Sequence, residues 1–522
     1  MSPPKCRIRG QSRIAWTIIA AVIIVIVILG ALIFAYYYRN LSTSTTATSS
    51  SVGTSISTSS TTILTSSPIQ HIVIIMQENR AFDNLFWSYP GVMGGESGNS
   101  SYCIPYSLAN PTSSCVKPKL STVPAISGDL PHTFASSYIS YNNGSMNGFL
   151  QASNDNINST VYYDNATIPT YWSYAEHYTL DDNAHSSVMS YSQPNHWYMV
   201  AGASPNASLY MSEGQEHSQC VAHGAVSWST CTYFQEGNKT QTIVDLLASS
   251  GISWKYYDAP LVGSYTQNIV GGPSVPGFSG AYQYWNTLAA KQSSYTLYAS
   301  HFVWRGEFFD DVGNHTLPAV SWVIPAGGIS DHPPASLTLG QIWVADVIDA
   351  IMKSSYWNDT AIILTWDDYG GFFDVLAPPV LQIPVVLPNG SVVDTPYGLG
   401  FRTPMIIISP YAKHGYVDHT LYSFESTLKF IEWNYKITAQ FASPLQQASV
   451  ARANNLLNSF DFDQSPLPPD VIPLSQSQLS EISICLRENC AVNINPGGTT
   501  ATTLVGQGLS DNYSVFLNGD PD

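Results

Sequence analysis

Two apolar runs end in oxygen donors. His71 to Met76 leads through Gln77 into Glu78 and Asn79, and Ala361 to Trp366 leads straight into Asp367 and Asp368. Both patterns put hard ligands where a buried strand should end. In open α/β sheets, ligands collect in the crevice beyond the carboxyl ends of strands. If these two strands lie side by side, three carboxylates and an amide share one place. Carboxylates held that close repel unless a proton or a cation intervenes. A divalent ion bound by oxygen donors resolves the repulsion. The competing reading, a helix cap or a surface turn, explains each pair alone but not the pattern shared by both.

The elements that must position these residues are legible in outline. Apolar strand-like runs alternate with helical segments from residue 68, which points to a mostly parallel central sheet flanked by helices. Candidate strands are Ile69 to Met76, Ser253 to Tyr257, Ala319 to Ile324, Ala361 to Trp366 and Pro404 to Ser409. A helix over Leu339 to Lys353 is expected from Ile342, Ala345, Ile348 and Ile351 at three-residue steps. A second, Thr242 to Ser249, should stop at Gly251 before the Ser253 strand. Long stretches rich in Tyr, Ser, Asn and Gly, at 91–128 and 259–300, read as functional loops or a cap. Gly370 and Gly371, after the second acidic pair, fit a tight turn pressed against the ion.

The N-terminus reads as a membrane anchor. Ile14 to Ala35 holds no charged side chain and spans a ~30 Å hydrocarbon layer. Lys5, Arg7, Arg9 and Arg13 precede it and only Arg39 follows closely, so the first 13 residues should stay in the cytoplasm. The span, with its aromatic flank, covers 14–38. A cleaved signal peptide is the alternative, disfavoured because the run is longer than a usual h-region and ends in Tyr36, Tyr37 and Tyr38. Residues 39–67, mostly Ser and Thr, form no core and read as an extended stalk. The chain thus divides into 1–13, 14–38, 39–67, a domain over 68–474 and a C-terminal appendage over 475–522. Sequons recur from Asn40 to Asn512, which fits a glycosylated exterior. Six of the seven cysteines lie beyond the span in close pairs, 103 with 115, 220 with 231 and 485 with 490. Three local disulfides are favoured over thiolate metal ligation, since no Cys-X-X-Cys spacing occurs. A formal net charge of -17, with 11% of residues charged, leaves no basic stripe for nucleic acid.

Several stretches together resemble a known family. They are His71 to Asp83, Asp129 to Phe134, Asn142 to Phe149, Tyr178 to Asn183, Ser192 to His196, Asp331 to Pro334, Trp366 to Asp374, Arg402 to Ala412 and Val417 to Thr420. In this order, over roughly 68–470, they resemble the bacterial and archaeal phosphoesterase family of phospholipases C and acid phosphatases. The resemblance implies an alkaline-phosphatase-like α/β fold and a divalent metal ion. It places Glu78, Asn79, Asp367, Asp368 and Ser192 at the metal, with Ser192 as nucleophile. His132 and His332 match histidines that contact the substrate phosphoryl group. A further such histidine, before the Leu-Pro-x-Val-Ser-Trp stretch, has no counterpart fixed by these motifs, although His301 is nearby.

A serine hydroxyl is a poor nucleophile near neutral pH unless a base or metal lowers its pKa, and metal coordination is the better activator here. Phosphoryl transfer needs an in-line nucleophile and positive charge on the equatorial oxygens. The ion, His132 and His332 would supply that charge, the imidazoles most strongly when protonated. A phosphoseryl intermediate, later hydrolysed by water, follows. The sequence therefore points to an extracellular, single-pass, membrane-anchored phosphoesterase acting on a small phosphoester or a phospholipid headgroup. Ser192 resembles the acid phosphatase branch, whereas Pro194-Asn195 and the tyrosine-rich insert resemble the phospholipase C branch. The alternative is a non-catalytic glycosylated surface protein that retains the fold. His71, Arg80, Asp83, Asp374, Asp418 and His419 are expected to be structural.

Overall fold

The carboxyl ends of two long apolar strands meet at the middle of one eight-stranded sheet. A computed structural model describes residues 64–112, 114–204, 241–258, 299–380, 383–386, 392–395, 399–487, 491–493 and 503–505. The chain divides into Met1–Thr62 and Ile63–Asp522, and the described residues lie in the second unit. The sheet comprises β1 (His71–Gln77), β2 (Thr179–Asp181), β3 (Trp254–Asp258), β4 (Phe302–Trp304), β5 (Val320–Val323), β6 (Thr360–Trp366), β7 (Met405–Ile408) and β8 (Tyr416–Asp418). Their order is β8-β2-β7-β6-β1-β5-β3-β4. Every pairing is parallel except the two made by β7.

All five strands expected from apolar runs form, with ends shifted by at most two residues. Both β1 and β6 are central, and past His71 every side chain in them is buried. Continuous apolar composition is what burial on both faces of a parallel sheet requires. Each such Ile or Leu contributes about 1.5–3 kcal/mol over exposure. Register fixes the consequence: His71 pairs with Thr360 and Gln77 with Trp366, so Glu78 and Asp367 leave the sheet side by side.

The helices used below are α1 (Phe134–Tyr141), α2 (Ser192–Ala201), α3 (Ile243–Ser249), α4 (Leu337–Met352), α5 (Phe424–Asn434) and α6 (Gln476–Arg487). Thr242 caps α3 in a capping box with Asp245, and Gly251 follows at φ +69°, the expected stop. Ser336 accepts from the Thr338 N–H to start α4. Helix α6 lays buried Ile482 onto the same core.

The 91–128 stretch is partly ordered into small strand pairs. Ile104–Pro105 pairs with Cys115–Val116, and Lys119–Leu120 with Val161–Tyr162. A Cys103–Cys115 disulfide ties the first pair. The 14–38 span, most of 259–300, and Cys220, Cys231 and Cys490 lie outside the described residues. Among the described residues no helix is long and apolar enough to cross a membrane.

Candidate active site at the strand ends

Asn79 is the hinge of the site. Its φ of +52° is left-handed, a region that asparagine tolerates better than most residues. The turn sends its main-chain N–H to Asp367 Oδ1 at 2.7 Å, tying the two strand ends together. Gly370 (φ +58°) makes the close approach feasible, because a Cβ there would stand 2.1 Å from the Asn79 carbonyl oxygen. Gly371 is similarly crowded by Leu130. The two glycines thus fit the chain around Asn79 and Leu130, a more specific role than the expected turn against an ion.

The Asn79 amide faces two ways. Its oxygen lies 3.1 Å from Ser192 Oγ, 3.1 and 3.3 Å from the Asp367 oxygens, and 3.3 Å from Glu78 Oε2. Its nitrogen lies 2.9 Å from His132 Nε2 and 3.0 Å from His332 Nε2. Exchanging O and N would satisfy these neighbours through hydrogen bonds when both Nε2 atoms carry a proton. With its oxygen on the carboxylate side, the amide faces other oxygens, which is an arrangement a cation would stabilise. Carboxylate, amide and hydroxyl oxygens are also the donors that suit a hard divalent ion. The residues therefore fit the ion that the sequence implies.

Ser192 arrives on a separate element. It is the first residue of α2, which begins after Tyr191 in extended conformation and ends at Gly202 in the left-handed region. Pro194 sits in the first turn, where its missing N–H costs nothing. The Ser192 hydroxyl has two acceptors, Asn79 Oδ1 and Asp368 Oδ2, the latter at 3.3 Å. Asp368 Oδ1 is held by the Gly370 N–H at 2.7 Å. The helix N-terminus favours negative charge at this position.

Both histidines are oriented from behind. His132 Nδ1 donates to the Leu130 carbonyl and His332 Nδ1 to the Pro333 carbonyl, each at 2.6 Å. That tautomer, inferred from the hydrogen bonds, directs both Nε2 atoms toward Asn79. The His332 loop is anchored by Asp331, at φ +71°. Its carboxylate accepts from the Tyr171 hydroxyl at 2.6 Å and from Trp366 Nε1 at 3.1 Å, while Arg80 holds its main-chain oxygen. Burial lifts the Asp331 carboxyl to about 7, against the opposing pull of Tyr171 and Arg80. A Cβ on Gly340 of α4 would stand 1.8 Å from Asp331 Oδ1, so the helix can press here only as glycine.

The structure thus brings Glu78, Asn79, His132, Ser192, His332, Asp367 and Asp368 to one place. His301 is not among them. Its ring stacks on Trp254 and donates to the Trp254 carbonyl, just before edge strand β4. Register through β3 and β5 sets it level with Val73 rather than with Glu78.

One functional neighbour had no role in the sequence reading. His196 lies one helical turn after Ser192, with Nε2 at 3.3 Å from Glu78 Oε1 and 3.6 Å from Asp367 Oδ2. Glu78, His196 and Asp367 form a buried group that could hold a metal ion. The available signal was the four-residue spacing, which puts two side chains on one helix face. Without an ion the charges are frustrated. Burial, reinforced by Asp367, lifts Glu78 to about 7, and burial with Asp367 holds Asp368 well above the carboxylate range. Burial alone would raise Asp367 too, but His196 and the Asn79 N–H pull it down to about 2. His196 itself, lowered by burial, is carried up to about 9 by Glu78 and Asp367.

Fold and site define a class: an α/β protein with a buried, oxygen-rich cluster that could hold a cation at the carboxyl ends of adjacent parallel strands. The model of the phosphoesterase family matches residues 69–438, and the chain belongs to that family of phosphoric ester hydrolases. Phospholipase C B of Mycobacterium tuberculosis is 26% identical over 438 residues, covering 77% of this chain and 79% of that protein. The non-hemolytic phospholipase C of Burkholderia pseudomallei is 28% identical over 444 residues, covering 76% of this chain and 60% of that protein. A solved alkaline phosphatase superfamily protein from Vibrio parahaemolyticus shares 11% identity at a TM-score of 0.31, covering 81% of this chain and 72% of that one. That likeness is too distant for anything to rest on it.

Proposed function

We propose that this chain is a metal-dependent phosphoesterase of the phospholipase C or acid phosphatase type, with Ser192 as nucleophile. The observation that carries the reading is the Ser192 hydroxyl at a helix N-terminus, within 3.1 Å of Asn79 Oδ1 and 3.3 Å of Asp368 Oδ2. Glu78, Asn79, Asp367, Asp368 and Ser192 would hold the ion. When bound, a divalent ion neutralises the carboxylates and lowers the pKa of the serine hydroxyl.

Ser192 Oγ attacks phosphorus as its proton leaves along the hydrogen bond to Asp368 Oδ2. The phosphorus–oxygen bond to the leaving alcohol breaks, giving an alkoxide and a serine-bound phosphoryl group, phosphoserine from a monoester and a headgroup phosphodiester from a phospholipid. His132 and His332, when protonated, present Nε2–H groups to the phosphoryl oxygens, and one of them protonates the alkoxide. Water then attacks phosphorus, giving a proton to the histidine left neutral; the bond from phosphorus to Ser192 Oγ breaks, Asp368 returns the proton to Oγ, and the phosphate product leaves. Preoriented donors are what stabilise charge spread over a transferring phosphoryl group.

The phospholipase C names of the relatives favour a phospholipid headgroup ester as substrate; the serine at position 192 keeps a soluble phosphomonoester as the second reading. We place this domain, over 68–474 and alkaline-phosphatase-like in fold, outside the cell on the 39–67 stalk and the 14–38 anchor. Six sequon asparagines among the described residues (99, 143, 158, 165, 314 and 358) lie outside the buried set, which supports a glycosylated exterior. The test is hydrolysis of a phosphatidylcholine analogue and of a phosphomonoester by the full chain, with and without Ser192→Ala. The variant should fold and lose turnover, and the quenched wild type should yield a peptide phosphorylated at Ser192. A variant with the wild-type rate ends the nucleophile assignment.

A further inference from the structure

We infer that His196 adds an imidazole nitrogen to the ion site, so that the site prefers a zinc- or iron-like divalent ion to Ca2+ or Mg2+. This rests on the reading that the strand-end oxygens hold a cation. The sequence motifs gave His196 no part in it.

Three observations converge. First, His196 follows Ser192 by four residues on α2, a ten-residue helix, so both side chains project from one face toward the strand ends. Second, the Glu78 carboxylate has an oxygen on each side. Oε2 lies 3.3 Å from Asn79 Oδ1, and Oε1 lies 3.3 Å from His196 Nε2. Asp367 likewise reaches Asn79 through its N–H and amide oxygen while lying 3.6 Å from His196. His196 therefore meets the same two carboxylates that face the Asn79 amide. Third, the spacings suit a single coordination shell. An ion with bonds of about 2.1 Å keeps neighbouring donors about 3 Å apart. The donor separations run from 3.1 Å at Ser192 Oγ–Asn79 Oδ1 to 3.6 Å at His196–Asp367. The ligand atoms of Glu78, His196 and Asp367 all lie within 4.8 Å of one another.

The chemical consequence is selectivity. A shell of carboxylate, amide and hydroxyl oxygens suits Mg2+, Ca2+ or Mn2+, whereas an imidazole shifts preference toward Zn2+, Fe2+, Ni2+ or Cu2+. Burial of the ring at the helix face fixes which nitrogen is offered, because Nε2 is the atom turned to Glu78 and Asp367.

The experiment strips the full chain with chelator and reloads it with one equivalent of Mn2+, which both ligand types accept. Pulsed EPR of the wild type should show coupling to a directly bound 14N nucleus, and His196→Gln should lose it. Equilibrium dialysis of Zn2+ against Ca2+ should show the wild-type preference for Zn2+ falling in the variant by at least the ~10–100-fold typical of losing an outer-shell partner. If His196→Gln does not fold, the wild-type coupling and preference decide alone. One Mn2+ bound per chain with phosphoester turnover but no nitrogen coupling overturns this inference and leaves the proposed function standing. Binding of no divalent ion overturns both.

Discussion

Two buried acidic clusters of this domain differ in one respect: among the described residues, only one of them carries its own fixed cation. In the first, Arg402 lies between Asp83 and Asp374, with Nη2 at 2.8 and 2.7 Å from their carboxylates and Nε at 3.0 Å from Asp374. Its Nη1 donates to the main-chain oxygens of Met93 and Asp182, and its guanidinium lies over the Phe82 ring. The Val375 N–H occupies Asp83 Oδ2, and the Arg402 N–H occupies Asp374 Oδ2. The planar fork matches its carboxylates, so the cluster is complete. In the second, among the described residues, Glu78, Asp367 and Asp368 form ion pairs with imidazoles only. The same residue type thus serves two ends. Acids closed on an arginine hold the loops in place, and acids left facing an amide oxygen and a hydroxyl fit the divalent ion proposed above.

The sharpest way to break this contrast is Arg402→Met. Removing one partner from a buried pair costs about 3–5 kcal/mol, because the remaining charges have no compensation. Thermal or denaturant unfolding of the full chain should show that loss, and added divalent ions should not restore it. Conversely, Asp367→Asn should leave the fold standing and weaken metal affinity by more than the ~10–100-fold typical of losing an outer-shell partner, as dialysis would show. A stability loss as large as that of Arg402→Met, with metal content unchanged, would erase the distinction.

A smaller effect sharpens it through pH. Glu78 in the ion-free fold is raised to about 7 from 4.5, so its contribution is present below the unfolded value and lost as pH rises through about 7. His196, raised to about 9 from 6.5, contributes fully below 6.5 and loses its contribution as pH rises through about 9. Asp367, held near 2, acts only in acid, losing its contribution as pH falls through that value. The chelated chain should therefore melt at progressively lower temperature from pH 5 to pH 9. A saturating divalent ion should flatten or reverse that trend. An unchanged slope would show that these groups are not what the ion meets.

Much of this was legible in the sequence because the apolar runs are long and their polar endings abrupt. The ends of β1 and β6 announced Glu78, Asn79, Asp367 and Asp368 without any fold. Three strands escaped notice for the opposite reason: β2, β4 and β8 have three residues each, too few for a periodic signal. The reversed direction of β7 was equally hidden, since Met405–Ile408 is as apolar as a parallel strand. His196 needed helix geometry to connect it to Glu78. Asp331 needed the Gly340 contact to show how tightly the His332 loop is packed.

The hydrogen bond from Asn79 to Asp367 spans 288 positions of sequence. A nascent chain that has emerged only through α4 owns Glu78, Asn79 and Ser192 but lacks the β6 partners that complete them. Capture of the proposed ion would then wait until synthesis has passed Asp368. Loading of the proposed ion would then be a late checkpoint on the ribosome's product, and a chain truncated before β6 would lack the residues to hold it.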